Sequence, residues 1–195
     1  EGRTLSLVLA SASAYRRLLL ERLGLAFSVA APHIDETRQP GESPSELALR
    51  LAVAKAKAVA RQFPEAHIIG SDQVAILGEE ILGKPGDRAN AARQLRLLSG
   101  NTATFLTAIC VHDSRTGNTL SRLVPYQVNF RKLEDTLIER YLTREQPYDC
   151  AGSAKAEGLG IVLIERMQGD DPSALIGLPL IALVDLLREH GIDVL

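Results

Sequence analysis

The chain has 195 residues, 46% of them hydrophobic and 24% charged. That composition excludes a disordered or collagen-like polymer and fits one domain, or two closely apposed lobes. Lys plus Arg number 22 against 24 Asp plus Glu, a formal net charge of −2, which argues against a nucleic-acid polymer as partner while leaving a small anionic ligand open.

The chain opens with an apolar strand, Leu5–Ala10, and then Ser11-Ala12-Ser13-Ala14-Tyr15-Arg16-Arg17 runs into a helix stopped by Gly24. A second strand is expected at Phe27–Ala31, and Pro32 to Gly41 reads as loop. Ser43-Pro44-Ser45-Glu46 is a capping box with Pro at the first helical position. The helix it starts carries Leu47, Leu51, Ala54 and Ala58 as its buried stripe, with Lys55 at the flank, about 80° from Leu47. His67–Asp72 reads as a buried strand ending in a carboxylate. Gln73–Leu77 and Glu80–Leu82 read as two arms about a Gly78-Glu79 turn.

Further on, Arg88–Leu98 is helical behind an Asp87 cap. Thr102–His112 and Leu120–Phe130 form a hairpin about Ser114–Asn118. Leu133–Leu142 reads as a helix and Gly160–Arg166 as a strand. The last helix, Leu180–Glu189, places Leu180, Leu183, Val184 and Leu187 on one face. Strands alternate with helices at both ends and a hairpin sits between them. An α/β fold with a mixed sheet is therefore expected, as one unit over residues 1–195. Cys110 and Cys150 are too few for a disulfide scaffold and read as reduced, mostly buried thiols. No apolar stretch reaches the ~20 residues that span a bilayer. Residues Glu1-Gly2-Arg3 read as a trimmed end and not as a signal peptide, so a cytoplasmic protein without a membrane partner is expected.

Two patterns mislead. Gly78–Lys84 has the letters of a phosphate-binding P-loop, but Pro85 follows where a hydroxyl residue is needed, and two glutamates sit inside the loop. The four histidines show no ligand spacing, so a zinc site is not expected. A hard cation held by carboxylates and ligand phosphates is the alternative.

Five segments carry possible chemistry. Ser11 to Arg17 joins a strand end to a helix N-terminus, an anion cradle with Arg16 as a fork of donors, or a plain N-cap. Ile68–Gln73 delivers Asp72 at the end of a buried strand, to hold a cation or a water, or to close an Asx-turn. Lys84 between Gly83 and Pro85 suits a charge aimed at a phosphate, or an exposed turn. Asp35-Glu36, with Lys55 nearby, suits a cation site or a solvated loop. Ala151–Gly160 holds three glycines around Glu157, a slot for a flat ligand or a flexible connection.

In this order the segments S-x-S-x-Y-R-R, D-E-T, G-S-D-Q, G-K-P, A-G-S-x-K-x-E-G-x-G and L-I-G-L-P-L resemble the Maf family of nucleotide pyrophosphatases, over nearly the whole chain. Tyr15-Arg16-Arg17, Ser71-Asp72-Gln73 and Lys155-Ala156-Glu157 are most similar to its YceF-type branch. The resemblance implies an α/β fold related to that of inosine triphosphatase, with a mixed sheet, a deep cleft between two lobes, and a homodimer. It implies hydrolysis of the nucleoside triphosphate 7-methyl-GTP to monophosphate and pyrophosphate, a house-cleaning reaction, with Mg²⁺ or Mn²⁺ as cofactor. The alternatives are dTTP/UTP hydrolysis and a noncatalytic nucleotide-binding regulator of cell division.

By the same resemblance Asp72 is the proton acceptor, and Tyr15, Gln73 and Glu157 govern substrate choice. Ser11, Arg16, Lys55 and Lys84 lie on the phosphate side, and Glu36 with Asp72 on the metal side. The branch usually reads S-T-S-P-W-R-R; here Ala14 stands in place of Pro, and Tyr15 in place of Trp keeps an aromatic face for a cationic base.

Overall fold

The computed structural model describes residues 6–195. Leu5 and Glu1-Gly2-Arg3, read above as a strand start and a trimmed end, lie outside the described residues. Seven strands form one mixed sheet: β1 (Leu7–Leu9), β2 (Ser28–Val29), β3 (His67–Leu77), β4 (Glu80–Leu82), β5 (Thr102–Asp113), β6 (Thr119–Phe130) and β7 (Ile164–Gln168). Their order is β2-β1-β3-β5-β6-β7, with β4 paired to β3. The β1 pairings to β2 and β3 are parallel and all others antiparallel, so the mixed α/β expectation holds. The helices are α1 (Ala14–Glu21), α2 (Pro44–Ala60), α3 (Arg88–Leu98), α4 (Asp135–Glu145), α5 (Pro172–Ile176) and α6 (Leu180–Glu189).

β3 organises the molecule. It is a single strand through Asp72, where the sequence reading has two strands and a break. The polar run Gly70-Ser71-Asp72-Gln73 hides the strand pattern, yet each residue is held from one face or the other. Odd positions of β3 point to the side of α1, α5 and α6: Ile69 packs with Leu183 and Leu187, and Ser71 Oγ donates to the Gly177 carbonyl at 3.0 Å. Even positions point to α2, where Ile68 packs with Ala56 and Val59. Strand alternation of period two dictates this division.

α2 begins as expected, with both capping-box hydrogen bonds formed between Ser43 and Glu46. Its buried residues are Leu47, Ala48, Leu51, Ala52, Ala56 and Val59, so Ala54 and Ala58 are only half-buried, and the stripe is displaced towards Lys55. The helix lies very close to β3. A Cβ on Gly70 would stand 2.1 Å from the Ala52 carbonyl oxygen, so only glycine permits the approach. The Cys110 thiol, opposite Gly70 in the register, lies 3.4 Å from the same oxygen.

On the other face α6 buries Leu180, Leu183, Leu186 and Leu187, with Val184 at the margin. Farther along the strands, Leu95 and Leu98 of α3 and Ile138 and Leu142 of α4 cover Phe105 and Phe130. Gly160 falls in a 3₁₀ turn (Leu159–Leu163), and the strand expected there starts only at Ile164. Gly78 sits in the tight β3–β4 turn with φ +61°, so the P-loop letters are a hairpin. Cys110 is buried and Cys150 half-buried, both free thiols. Among the described residues no helix is long and apolar enough to cross a membrane.

Candidate active site

A cleft of about 740 Å³ opens between α2, the N-terminus of α1, the β3–β4 region and residues 149–157. Every residue to which the resemblance assigns a role lines it: Ser11, Tyr15, Arg16, Glu36, Lys55, Asp72, Gln73, Lys84 and Glu157. Asp35, the other half of the acidic pair, does not, and its Oδ1 accepts from Thr37 N at 2.9 Å.

Its buried end is a charge cluster. Asp72 is 8% exposed on β3. Lys55 reaches down from α2 and places Nζ 2.7 Å from Asp72 Oδ1 and 3.0 Å from Glu36 Oε1. Lys55 therefore belongs to the inward side of α2, which the Gly70 contact draws onto the strand. One ammonium already occupies the point at which both carboxylates are directed. That oxygen donor pair fits a hard divalent cation, Mg²⁺ or Mn²⁺.

Glu36 rides on an irregular loop that the sequence leaves unsupported. The support is Arg50, whose Nε and Nη2 grip Glu42 at 2.5 and 2.9 Å while Nη2 also donates to the Thr37 carbonyl at 3.0 Å. This fork holds the Glu42 carboxylate below the usual range and fixes the loop next to Glu36. The pair was discoverable only as an acid and a base two turns apart across a helix start.

The α1 N-terminus forms the adjoining wall. Ser13 caps the helix by accepting from Arg16 N at 3.3 Å, and Ser11 Oγ accepts from Ser13 N at 3.0 Å. Arg16 Nε donates to the Gly177 carbonyl at 2.8 Å. Burial lowers the Arg16 pKa, opposed by the negative charges of Asp72 and Glu36, and a guanidinium stays charged throughout the accessible pH range. Lys84 stands exposed at the rim, on a loop whose Gly83 carbonyl accepts from Gln94 Nε2 at 2.9 Å.

The other end is built from irregular chain. Tyr15 OH donates to the Asp149 carboxylate at 3.0 Å, and Lys155 Nζ sits 5.4 Å over its ring. Burial, reinforced by Cys150 and Asp149, raises the Tyr15 pKa, so the ring stays a neutral phenol. Asp149 and Cys150 were not picked out in the sequence; a Tyr-Asp-Cys run without spacing partners carries no signal. Burial, helped by Asp149, pushes the Cys150 thiol up to about 12. Glu157 is exposed at the mouth. Gln73 spends its amide protons on the Thr107 hydroxyl and the Ala174 and Leu175 carbonyls, at 3.1, 3.1 and 2.9 Å, so it tethers α5 to the cleft wall.

The glycines near Glu157 do not line the cleft as expected. Gly160 lets the chain fold on itself, since a Cβ there would lie 2.4 Å from the Lys155 carbonyl oxygen, and Gly158 abuts the Glu145 carboxylate. Ser153, buried and left-handed at φ +63°, is pinned by its hydroxyl to Gln94 Oε1 at 2.6 Å and by its carbonyl to Tyr141 OH at 2.8 Å. Strain at a non-glycine residue is tolerated where neighbours over-determine the geometry.

Residues 6–190 match the family described as Maf-like protein. The chain belongs to the Maf family. Among curated Maf relatives it is similar to a protein of Methylobacillus flagellatus named 7-methyl-GTP pyrophosphatase, 58% identical over 97% of this chain and 98% of that one. A protein of the same name from Colwellia psychrerythraea is 54% identical over 97% of this chain and 95% of its own. Among solved structures, a HAM1 protein from Coxiella burnetii covers 67% of this chain and 75% of its own, with 19% identity and a TM-score of 0.49.

Proposed function

We propose that this Maf protein hydrolyses 7-methyl-GTP between the α- and β-phosphates, releasing the monophosphate and pyrophosphate. The observation that carries the reading is the cleft itself: cations, carboxylates and an aromatic ring from distant parts of the chain face one volume, in an order that suits a triphosphate tail and a base. The names of relatives that match the chain almost end to end support the choice of nucleotide.

In this reading Asp72 accepts the proton of the attacking water, and Lys55 orients its carboxylate through the 2.7 Å contact. Arg16, Lys84 and the Ser11–Ser13 wall receive the phosphate charge that grows on the departing pyrophosphate. Glu36 and Asp72 would hold Mg²⁺ or Mn²⁺, which when bound supplies Lewis-acid polarisation of the phosphate oxygens.

At the far end the Tyr15 ring stacks on the methylated, cationic base, and Asp149 sets the ring's tilt. Glu157 accepts from guanine N1–H and the exocyclic amine; it would face acceptor atoms on a pyrimidine and repel them. Gln73 acts on substrate choice by holding the α5 wall. A free nucleotide and no polymer is the substrate, since a net charge of −2 supplies no basic track. The cytoplasm, where such nucleotides occur, is the compartment this reading requires.

The test is incubation of the purified chain with Mg²⁺ and a panel of 7-methyl-GTP, GTP, dTTP and UTP, assayed for pyrophosphate and orthophosphate separately. Pyrophosphate released fastest from 7-methyl-GTP is expected. Preference for dTTP or UTP moves the protein to the other substrate class, and binding without release makes it a nucleotide-binding regulator.

A further inference from the structure

At the start of β3, away from the charge cluster at its middle, His67, Asp113 and His190 come together, and none of them lines the cleft. His67 opens β3 and Asp113, its register partner, closes β5; His190 caps α6. Asp72 lies five positions along the strand from His67, about 17 Å at roughly 3.3 Å per residue. One ligand atom from each of the three lies within 4.8 Å of the others. Sequence spacing carries no sign of this cluster, because the three residues belong to three separate elements.

We propose that this cluster is a binding site for a divalent transition ion of the Zn²⁺ class, distinct from the cleft. Three observations support it. First, His67 Nε2 and Asp113 Oδ2 face each other at 3.6 Å, too far for a hydrogen bond. Ligands at about 2.0–2.1 Å from a tetrahedral Zn²⁺ lie roughly 3.3 Å apart, close to that gap. Second, the His67 and His190 rings stand edge to face with centroids 5.3 Å apart. Two imidazoles sharing one tetrahedral ion would be separated by about 5 Å, by the same bond lengths.

Third, both partners of His67 are already oriented by outer contacts. His190 Nε2 faces the Val111 carbonyl at 2.9 Å, which fixes the tautomer with N–H there and leaves the lone pair on Nδ1. Asp113 Oδ1 accepts from Arg115 N at 3.0 Å, which leaves Oδ2 for the ion. His67 and His190 are half-buried, so an ion and a fourth ligand, water, have access. A nitrogen-rich set prefers Zn²⁺ to Mg²⁺, whereas the carboxylates of the cleft prefer Mg²⁺. Bound there, the ion would tie α6 to the ends of β3 and β5.

The full chain, stripped with chelator and held in excess Mg²⁺ to fill carboxylate sites, is titrated with Co²⁺ as a spectroscopic probe. One equivalent giving the intense visible absorption of tetrahedral Co²⁺ is expected, weakened at least ~10-fold in H67Q and H190Q and unchanged in E36Q. Zn²⁺ at a hundredfold excess over its Kd should raise the Tm of the unsubstituted chain by about 5–10 °C. In the same chain, imidazole NMR signals of His67 and His190 should move with Zn²⁺ while the exposed His33 stays; this readout needs no variant to fold. Absence of visible absorption, a spectrum that survives both histidine substitutions, or signals of His67 and His190 that do not move would each overturn the proposal.

Discussion

The two ends of the cleft are built on different plans. At the β3–α2 end, Asp72, Lys55 and Arg50 sit on regular elements, and the charges are already paired within the protein: Lys55 with Asp72 and with Glu36 on its loop, and Arg50 with Glu42 behind them. At the other end, Tyr15, Asp149 and Glu157 stand on a helix start and irregular chain, and the two acids are exposed. Burial makes the Lys55–Asp72 pair at the first end count for more and leaves little freedom to move it, while Glu36 closes it from the exposed side. Exposure makes the second end weak per contact and adjustable. A triphosphate tail is common to many nucleotides and suits a fixed grip. A base varies, and is better sorted by groups that can change without disturbing the core.

That contrast can be broken experimentally, beginning at the paired end. Asp72→Asn should lower kcat by about 10²–10⁴-fold with the fold retained in circular dichroism, the loss typical of a removed general base. Near-normal turnover in this variant would take Asp72 out of the chemistry. Gly70→Ala inserts a methyl 2.1 Å from the Ala52 carbonyl oxygen, so α2 must retreat and carry Lys55 with it. A stability loss of about 1–3 kcal/mol by denaturant unfolding, with a fall in kcat larger than any rise in KM, is expected. Equal activity per folded molecule would show that the α2 approach is structural only.

Loosening the loop behind Glu36 has a milder effect. Arg50→Ala should raise the Mg²⁺ concentration for half-maximal rate by about 10-fold, as for other outer-shell supports of a metal site, and leave kcat at saturating metal nearly intact. At the adjustable end, Glu157→Gln should shrink the preference for 7-methyl-GTP over pyrimidine nucleotides by roughly 10-fold in kcat/KM, without loss of stability. An unchanged ratio would place base selection elsewhere.

The smallest effect concerns Cys110, under α2. Burial pushes its thiol up to about 12 from an ordinary 9.0. The unfolded chain gives up this proton first as pH rises, so the stabilisation is complete below about pH 9 and is lost on the way to pH 12. The loss is about 1 kcal/mol by pH 10, and Cys110→Ala should flatten that alkaline decline in urea unfolding curves.

How far the sequence could be read follows the same contrast. The capping box at Ser43, the hairpin through Ser114–Asn118 and the last helix were legible because local rules act there without competition. β3 was misread at Asp72 because its polar run lacks the hydrophobic alternation of a strand; its partners lie on other elements, α2 just before it and α5 about a hundred residues on. The short helix α5 was missed although Asp171-Pro172-Ser173 announces it: Asp171 caps Ser173 N at 2.9 Å and also accepts from Ile181 N. The cleft residues were found through motif order, since each alone fits a cap, a turn or a surface lysine. Asp149, Cys150 and the Glu42–Arg50 clamp escaped, because their meaning exists only once the chain has closed around them.

The unbroken course of β3 also constrains how the gene can change. Asp72 and Gln73 are neighbours in sequence yet serve opposite sides of the sheet, one turned to Lys55 and the other to the Ala174 and Leu175 carbonyls. Inserting or deleting a single codon between His67 and Gly70 would reverse every downstream side chain and exchange the two. Length variation in such a protein belongs in the turns at Gly78 and Gly117, while this stretch keeps its count of residues.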